Sequence, residues 1–230
     1  MPRVAEVLGP KGPLRDAIAS RLETIPLQQQ NDDLQKLEIG VGIEASCLSI
    51  LPWNEEKNST NLQLILVRDV ITDTCDPMWE DGTFHSIIAD AISGSDMDPR
   101  IQKPRFWLPV SDVAEAIRIM IIENKLPLSG QPLVMAGRRP WWPEEVYAEA
   151  AHLWNRYSAS VEGTHRPSTL EEPPITPLPV GHGNIPRPDL DPIDRHMRNC
   201  GEPHGWRPSG SLRLAIMRVF ANLHLSLIHI

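Results

Sequence analysis

Residues 2–23, PRVAEVLGPKGPLRDAIASRLE, decide the fold class. Val4, Val7 and Leu8 give residues 2–8 the look of a short strand. Gly9-Pro10-Lys11-Gly12-Pro13 follows as a turn. Leu14, Ile18 and Leu22 then recur every fourth position, which predicts a helix over 14–23 with one buried face. Pro13 suits the first helical position, where its missing N–H costs nothing. Strand, glycine turn and helix in this order open a βαβ unit. Glu6 is the discordant residue, because a central parallel strand is normally apolar on both faces.

Further along, residues 28–33 read as a polar loop and 34–37 as one helical turn. Residues 45–51, ASCLSIL, read as a buried strand ended by Pro52. Residues 62–67, LQLILV, are the clearest strand of the chain. Only ten residues, 52–61, lie between these two, and a parallel crossover usually takes a dozen or more. Residues 84–93 predict a helix closed by Gly94. A short strand at 105–108 leads to Ser111, expected as the N-cap of a helix with Val113, Ala116, Ile117, Met120 and Ile121 on one face. Another strand is expected at 133–136 and a helix from Pro143 to about Tyr157. Residues 167–208 hold ten prolines and no helical or strand period, so they read as an extended connection. A last helix is expected at 211–223.

The composition narrows the function classes. The chain has 230 residues, 23 of them proline, and a formal charge of −8, with a pI near 5.5. An acidic balance argues against nucleic acid, whose binders need a basic face to release counterions, and against anionic membranes. No apolar run approaches the roughly 18 residues of a membrane span, and the first residues lack a signal peptide's layout. Cys47, Cys75 and Cys200 are odd in number and widely spaced, so no disulfide framework is expected and a cytoplasmic location is.

Several segments carry a family resemblance, and their order makes it. Residues 7–15, VLGPKGPLR, resemble a strand-TGxxGxxG-helix opening, and Asp33-Leu34 an acidic-aliphatic pair that contacts adenine. Residues 45–52 are similar to the strand that ends over a cofactor. Residues 62–70, LQLILVRDV, are similar to the strand that ends in Arg and enters a substrate loop. Residues 107–116, WLPVSDVAEA, resemble an "hVdDvAeA" segment, residues 131–153 a late strand and "ElA"-type helix, and residues 205–208, GWRP, a closing "GWxP". Together they resemble the extended short-chain dehydrogenase/reductases, the nucleotide-sugar epimerase and dehydratase group. That resemblance implies an α/β, Rossmann-like, doubly wound parallel sheet, here reduced, with a small C-terminal helical part. It implies NAD or NADP as cofactor and a nucleotide-sugar as partner. By the same resemblance Gly9 and Gly12 would offer backbone N–H groups to phosphate beside Leu14, Asp33 would accept from the adenine amine, and Arg68 would end a strand on the substrate side.

Two departures qualify the resemblance. Arg15 stands where the third glycine of the phosphate loop would be, either reaching a 2′-phosphate or facing solvent. The family's Tyr and Lys, four apart on a helix, are absent: Tyr147 is followed at that spacing by Ala151 and Tyr157 by Val161. The helix that should carry the pair belongs between the strands at 45–51 and 62–67, so a strand-helix block looks deleted. The family's dimer packs through that helix, which leaves the oligomeric state open.

The expected organisation is a reduced dinucleotide-binding region over 1–110, a helix-strand-helix part over 111–160, a Pro-rich segment over 161–208 and a final helix over 209–224. Residues 225–230, LSLIHI, are what the transposon end used in sequencing libraries encodes, and are expected to be adapter-derived. The leading expectation is an NAD(P)-binding epimerase/dehydratase-like protein that has lost catalysis. The rivals are an active enzyme using His85 or Asp112 as acid/base, and an interaction module that binds no nucleotide. Other clusters have plainer readings. His196, Cys200 and His204 have ligand chemistry, but Gly201 and Pro203 break any helix that would align them, and no metal is expected. Ser49, His85 and Asp112 form no triad that the sequence brings together, without a GxSxG elbow. Trp141-Trp142 beside Arg138-Arg139 reads as a stacking platform or, more simply, as a staple between loop and core.

Overall fold

The computed structural model describes residues 3–23, 35–53, 63–98, 100–101, 103–164, 166–167 and 185–228. The order of elements is β1 (Arg3–Leu8), α1 (Pro13–Glu23), β2 (Gln35–Val41), β3 (Leu48–Pro52), β4 (Leu64–Val67), β5 (Val70–Ile71), α2 (Thr83–Ser93), β6 (Leu108–Pro109), α3 (Val110–Ile122), β7 (Leu133–Met135), α4 (Pro143–Glu162), α5 (Asp191–Asn199) and α6 (Leu212–Ile228). Five strands make one parallel sheet in the order β1-β2-β3-β4-β7, and β5 pairs with β6 in a separate parallel pair. This is the α/β, Rossmann-like parallel sheet expected from the sequence, in reduced form, but the described order does not reverse as that of a doubly wound sheet does. The strands are added in one direction along the sheet, so the carboxyl ends of β1 to β4 form one continuous edge.

Right-handed crossovers that always advance the same way put their helices on the same face. Leu37, Ile39 and Val41 of β2, with Ile65 and Val67 of β4, meet α1 through Leu14, Ile18 and Leu22, and α3 through Val113, Ile117 and Met120. Ile193 and Met197 of α5 join the same core. On the opposite face Leu51, Leu64 and Leu66 form a smaller cluster with Trp53 and Val134. That face turns polar toward β1 and β2, where Glu6 stands directly beside Glu38. The discordant Glu6 is therefore accommodated: β1 is the end strand of the described sheet.

Several elements differ from expectation. Of the helical turn expected at 34–37, residues 35–37 are part of strand β2, and residue 34 lies outside the described residues. Leu37, Ile39 and Val41 alternate with Glu38 and Gly40, and period two is the strand signal. The link between β3 and β4 looks too short for a crossover, yet the two strands pair in parallel, Ser49 beside Leu64 and Pro52 beside Val67. A four-residue overlap asks the chain to retrace only about 13 Å, which shortens the connection required. Residues 54–62, within that link, lie outside the described set. The expected cap Ser111 is instead inside α3, whose N-cap is Pro109. Within the stretch expected to be irregular, residues 191–199 form α5, with Pro192 tolerated in its first turn and Gly201 (φ 95°) beyond its end.

Helices α2, α4 and α6 form a second apolar cluster, with Phe84, Ile87 and Ile88 against Val146, Ala150, Ile216 and Phe220. Asp112 joins the two parts. Its Oδ1 accepts from the Ser209 amide (2.9 Å) and hydroxyl (3.1 Å), and its Oδ2 from the Gly210 amide (3.0 Å). Trp206 of the GWRP segment is buried and donates its indole N–H to Ala136 O (2.9 Å) at the end of β7. All three cysteines are free thiols. Among the described residues no helix is long and apolar enough to cross a membrane.

Candidate functional site

Ligands in open α/β sheets sit outside the carboxyl ends of the strands. Here that edge carries the turn after β1, the bend at Gly42, Trp53 after β3 and Arg68 after β4. A cleft of about 270 Å³ opens at the ends of β3 and β4, lined by Trp53, Arg68, Asp69, Met78, Glu80 and Arg105 among others. That is near the lower end of small-molecule pockets, room for one ring system with a substituent and too little for a dinucleotide.

The floor of the cleft is an ion-pair network centred on Asp69. This residue is buried and adopts φ 52°, a left-handed conformation costly for a residue with a side chain. Its Oδ2 accepts from the Phe106 amide (2.8 Å) and from Arg68 Nε (3.3 Å), and its Oδ1 from Arg105 (3.3 Å). Arg105 also binds Asp81. Burial pushes the Asp81 carboxyl up, but hydrogen bonds from Thr83 and the Arg105 charge outweigh it and hold the group below its ordinary value. The Arg68 guanidinium lies 4.5 Å from the centre of the Trp53 ring. A cation stacked on an indole, with part of its donor fork uncommitted to Asp69, suits a planar or anionic ligand group.

The wall of the cleft is residues 77–81. Glu80 has a nearly inaccessible carboxylate that accepts from the Phe84 amide at Oε1 (2.7 Å) and lies 2.7 Å from His85 Nδ1 at Oε2. The Cys75 thiol is close by. Burial, and then the carboxylates of Glu80, Asp76 and Asp81, push it up.

The residues singled out from sequence fall as follows. Gly9 has φ 120°, and a Cβ there would stand 2.1 Å from Val41 O, so the turn needs a glycine to pass the end of β2. A Cβ on Gly12 would stand 2.9 Å from Asp76 Oδ2, so a carboxylate lies at the entrance to α1. Leu14 is fully buried, and only its backbone can meet a ligand. The Leu14 and Arg15 amides precede the first intrahelical bond, from Asp16 N to Gly12 O (3.0 Å), and belong to the orphan donors of a helix start. Arg15 folds back toward Val7 O (3.4 Å) and pairs with Asp16 (3.1 Å), between the two alternatives expected for it. Arg68 directly follows the end of β4 and lines the cleft. Asp33 lies outside the described residues.

Three other groupings resolve plainly. Ser49, His85 and Asp112 are not brought together: Ser49 Oγ bonds Ala45 N (3.0 Å), His85 meets Glu80, and Asp112 holds residues 209–210. His196 Nε2 (2.9 Å) and Cys200 Sγ (3.9 Å) both reach Lys125 O, pinning α5 to the end of α3. Trp142 is buried as the staple, while Trp141 carries the Arg139 guanidinium 3.8 Å above its ring. Trp141 lines a second cavity of about 280 Å³, where Arg139 pairs with Glu145 and Arg213 with Glu149. Tyr147 and Tyr157 are both on α4; Tyr147 donates to Ser95 O (3.0 Å) and Tyr157 packs on Trp154 and Phe220.

Asp69, Glu80 and Arg105 of the cleft, and Asp76 beside Gly12, are not singled out from the sequence. Asp69 follows directly on Arg68 at a strand end, and that adjacency was its available signal. Asp76 and Glu80 lie in a loop without periodicity and Arg105 starts the segment read as a strand at 105–108, so only the fold brings them to the strand ends.

No protein-family model matches the chain, and no curated protein matches it. Among solved structures it is similar to the Bordetella bronchiseptica enzyme WbmF. Against WbmF in complex with NADH the identity is 10% and the TM-score 0.49, covering 86% of this chain and 62% of that one. Against WbmF in complex with NAD+ and UDP the identity is 12% and the TM-score 0.45, with 84% and 62% covered. This chain therefore spans less than two thirds of the length of the structures it resembles.

Proposed function

We propose that this protein binds an NAD- or NADP-type nucleotide at the carboxyl edge of β1 to β4, without the Tyr/Lys chemistry of the epimerase/dehydratase group it resembles. The observation that carries this reading is the common edge. It holds the Gly9 turn, the start of α1 with its orphan amides, and Arg68 stacked on Trp53. A helix N-terminus favours an anion through its amides and its dipole. Asp76 supplies a carboxylate there, so binding a phosphate would exchange one anion for another. The cleft beside Trp53 and Arg68 has the size of one ring, and a nucleotide-sugar fragment is the second ligand proposed.

The reading without catalysis is supported by where the tyrosines lie. Both are held on α4, with no lysine one turn on. His85 is the acid/base residue the rival reading retains, since it sits against buried Glu80, whereas both carboxylate oxygens of Asp112 are engaged.

Calorimetric titration with NAD(H), NADP(H) and UDP, together with thermal shift, tests the reading. A ligand at one hundred times its dissociation constant adds about 2.7 kcal/mol of stability. A saturable heat with a matching shift, both diminished in Arg68→Ala, is expected. A folded sample with neither, for any of the three compounds, would leave the interaction-module reading in its place.

A further inference from the structure

We propose that Cys75, Glu80 and His85 form a binding site for a divalent transition metal of the zinc type. Their ligand atoms all lie within 4.8 Å of one another, in an eleven-residue stretch that runs along the cleft wall into α2. The three donors are a thiol sulfur, a carboxylate oxygen and an imidazole nitrogen. That mixture suits zinc, cobalt or iron, and disfavours magnesium and calcium, which take oxygen ligands.

Three features of the stretch point to a ligand rather than to chance proximity. First, Glu80 is fixed before any metal arrives, its carboxylate almost wholly buried and held by the Phe84 amide and by His85. Second, His85 Nδ1 and Glu80 Oε2 already converge at 2.7 Å, so one ion can be shared between them. Nδ1 is therefore the nitrogen that an ion shared with Glu80 would bind, and the buried Nε2 would keep the ring proton. Third, Cys75 is exposed, which gives an ion a way in, while Asp76, Glu80 and Asp81 surround the thiol with negative charge. Arg105, paired with Asp81 and Asp69, is the nearby counter-charge.

Bonds of about 2.0–2.3 Å in a tetrahedral shell place ligand atoms about 3.3–3.8 Å apart. On binding, the Glu80–His85 pair, now 2.7 Å apart, would open by about half an ångström, while longer distances to Cys75 would shorten by up to about 1.3 Å, Cys75 being the exposed part able to move. Three protein donors leave a fourth position for water or a small ligand, as in open zinc sites. Binding displaces the thiol proton to solvent and changes no oxidation state.

Cobalt(II) titration of the full chain under reducing conditions is the test, because a thiolate ligand adds an intense near-ultraviolet charge-transfer band. One equivalent should saturate that band. Cys75→Ser should abolish it, His85→Gln should weaken binding by more than about tenfold, and Cys200→Ser should leave it unchanged. X-ray absorption on the zinc-loaded wild-type protein should show one sulfur at about 2.3 Å and lighter ligands at about 2.0–2.1 Å. No saturable band, a band that survives Cys75→Ser, or a shell without sulfur would overturn the proposal. The wild-type measurement decides even if a variant fails to fold.

Discussion

The carboxylate of Asp76 stands against Gly12, close enough that a methyl group on that glycine would lie 2.9 Å from Oδ2. The loop from the cleft wall thereby places a negative charge at the first turn of α1, and the Met78 amide holds it there by donating to Oδ1 (3.1 Å). Met78 itself rests on Gly42, at the end of β2. If phosphate and Asp76 compete for the α1 terminus, removing the carboxylate should help the ligand. Asp76→Ala is expected to tighten NAD(P)(H) binding about two- to fivefold, the range of one charge at a helix end. Weaker binding in the variant, read by calorimetry, would refute the competition.

Arg68 is the residue whose loss should do the opposite. Its guanidinium stacks on Trp53 and leaves donors toward the cleft. A charge-assisted hydrogen bond contributes about 1.5–3 kcal/mol. Arg68→Ala should therefore weaken UDP or nucleotide binding more than tenfold, while the far-ultraviolet dichroism of the free protein stays unchanged.

Much of this architecture is readable in the sequence because burial and periodicity agree. The α1 pattern of Leu14, Ile18 and Leu22 is the buried face observed, and residues 64–67 are wholly buried as β4. Strand β2 is harder to see, since only its alternate residues, Leu37, Ile39 and Val41, face the core and a glycine interrupts it. The site is less legible. Gly9, Gly12 and Arg68 carry signals because turns and strand ends do. Asp76, Glu80 and His85 become neighbours of the strand ends only through the path of a loop, which no local period encodes.

Two glycines in left-handed conformations should respond differently to alanine. Gly9→Ala puts a methyl group into the Val41 carbonyl at φ 120°. Gly94, which caps α2 at φ 68°, has nothing within 4 Å of the new atom. Urea unfolding should give about 1–2 kcal/mol for Gly94→Ala, the left-handed cost alone, and more than about 3 kcal/mol for Gly9→Ala, where a clash is added. Equal losses would mean that the turn after β1 relaxes freely.

Asp112 should behave as a clamp. Asp112→Ala strips the acceptors from the amides of Ser209 and Gly210 and should cost about 1–3 kcal/mol of stability. Under the rival reading, in which Asp112 is an acid or base, the loss would appear in turnover with stability intact. Chemical denaturation beside an epimerase assay separates the two.

His196 supplies a pH dependence. Burial lowers its pKa, and the Lys125 charge adds to that, while the hydrogen bond to Lys125 O opposes it. The unfolded chain therefore takes up the proton first as pH falls through about 6.5. Stability contributed by the neutral histidine is fully present above that pH and declines below it. His196→Gln should flatten the fall in melting temperature between about pH 7 and 5; an unchanged slope would assign the decline to other groups.

The one-directional strand order has a consequence for how the chain reaches its fold. Along the sheet β1, β2, β3 and β4 are neighbours in the order of synthesis, so each new strand meets its partner as it leaves the ribosome. Only β7 waits, sixty-five residues after β4, to take its place. Short-range pairings close quickly because little loop entropy is lost. The first part of the sheet can thus assemble vectorially, and the slow step falls to the return of the chain through α3 to β7.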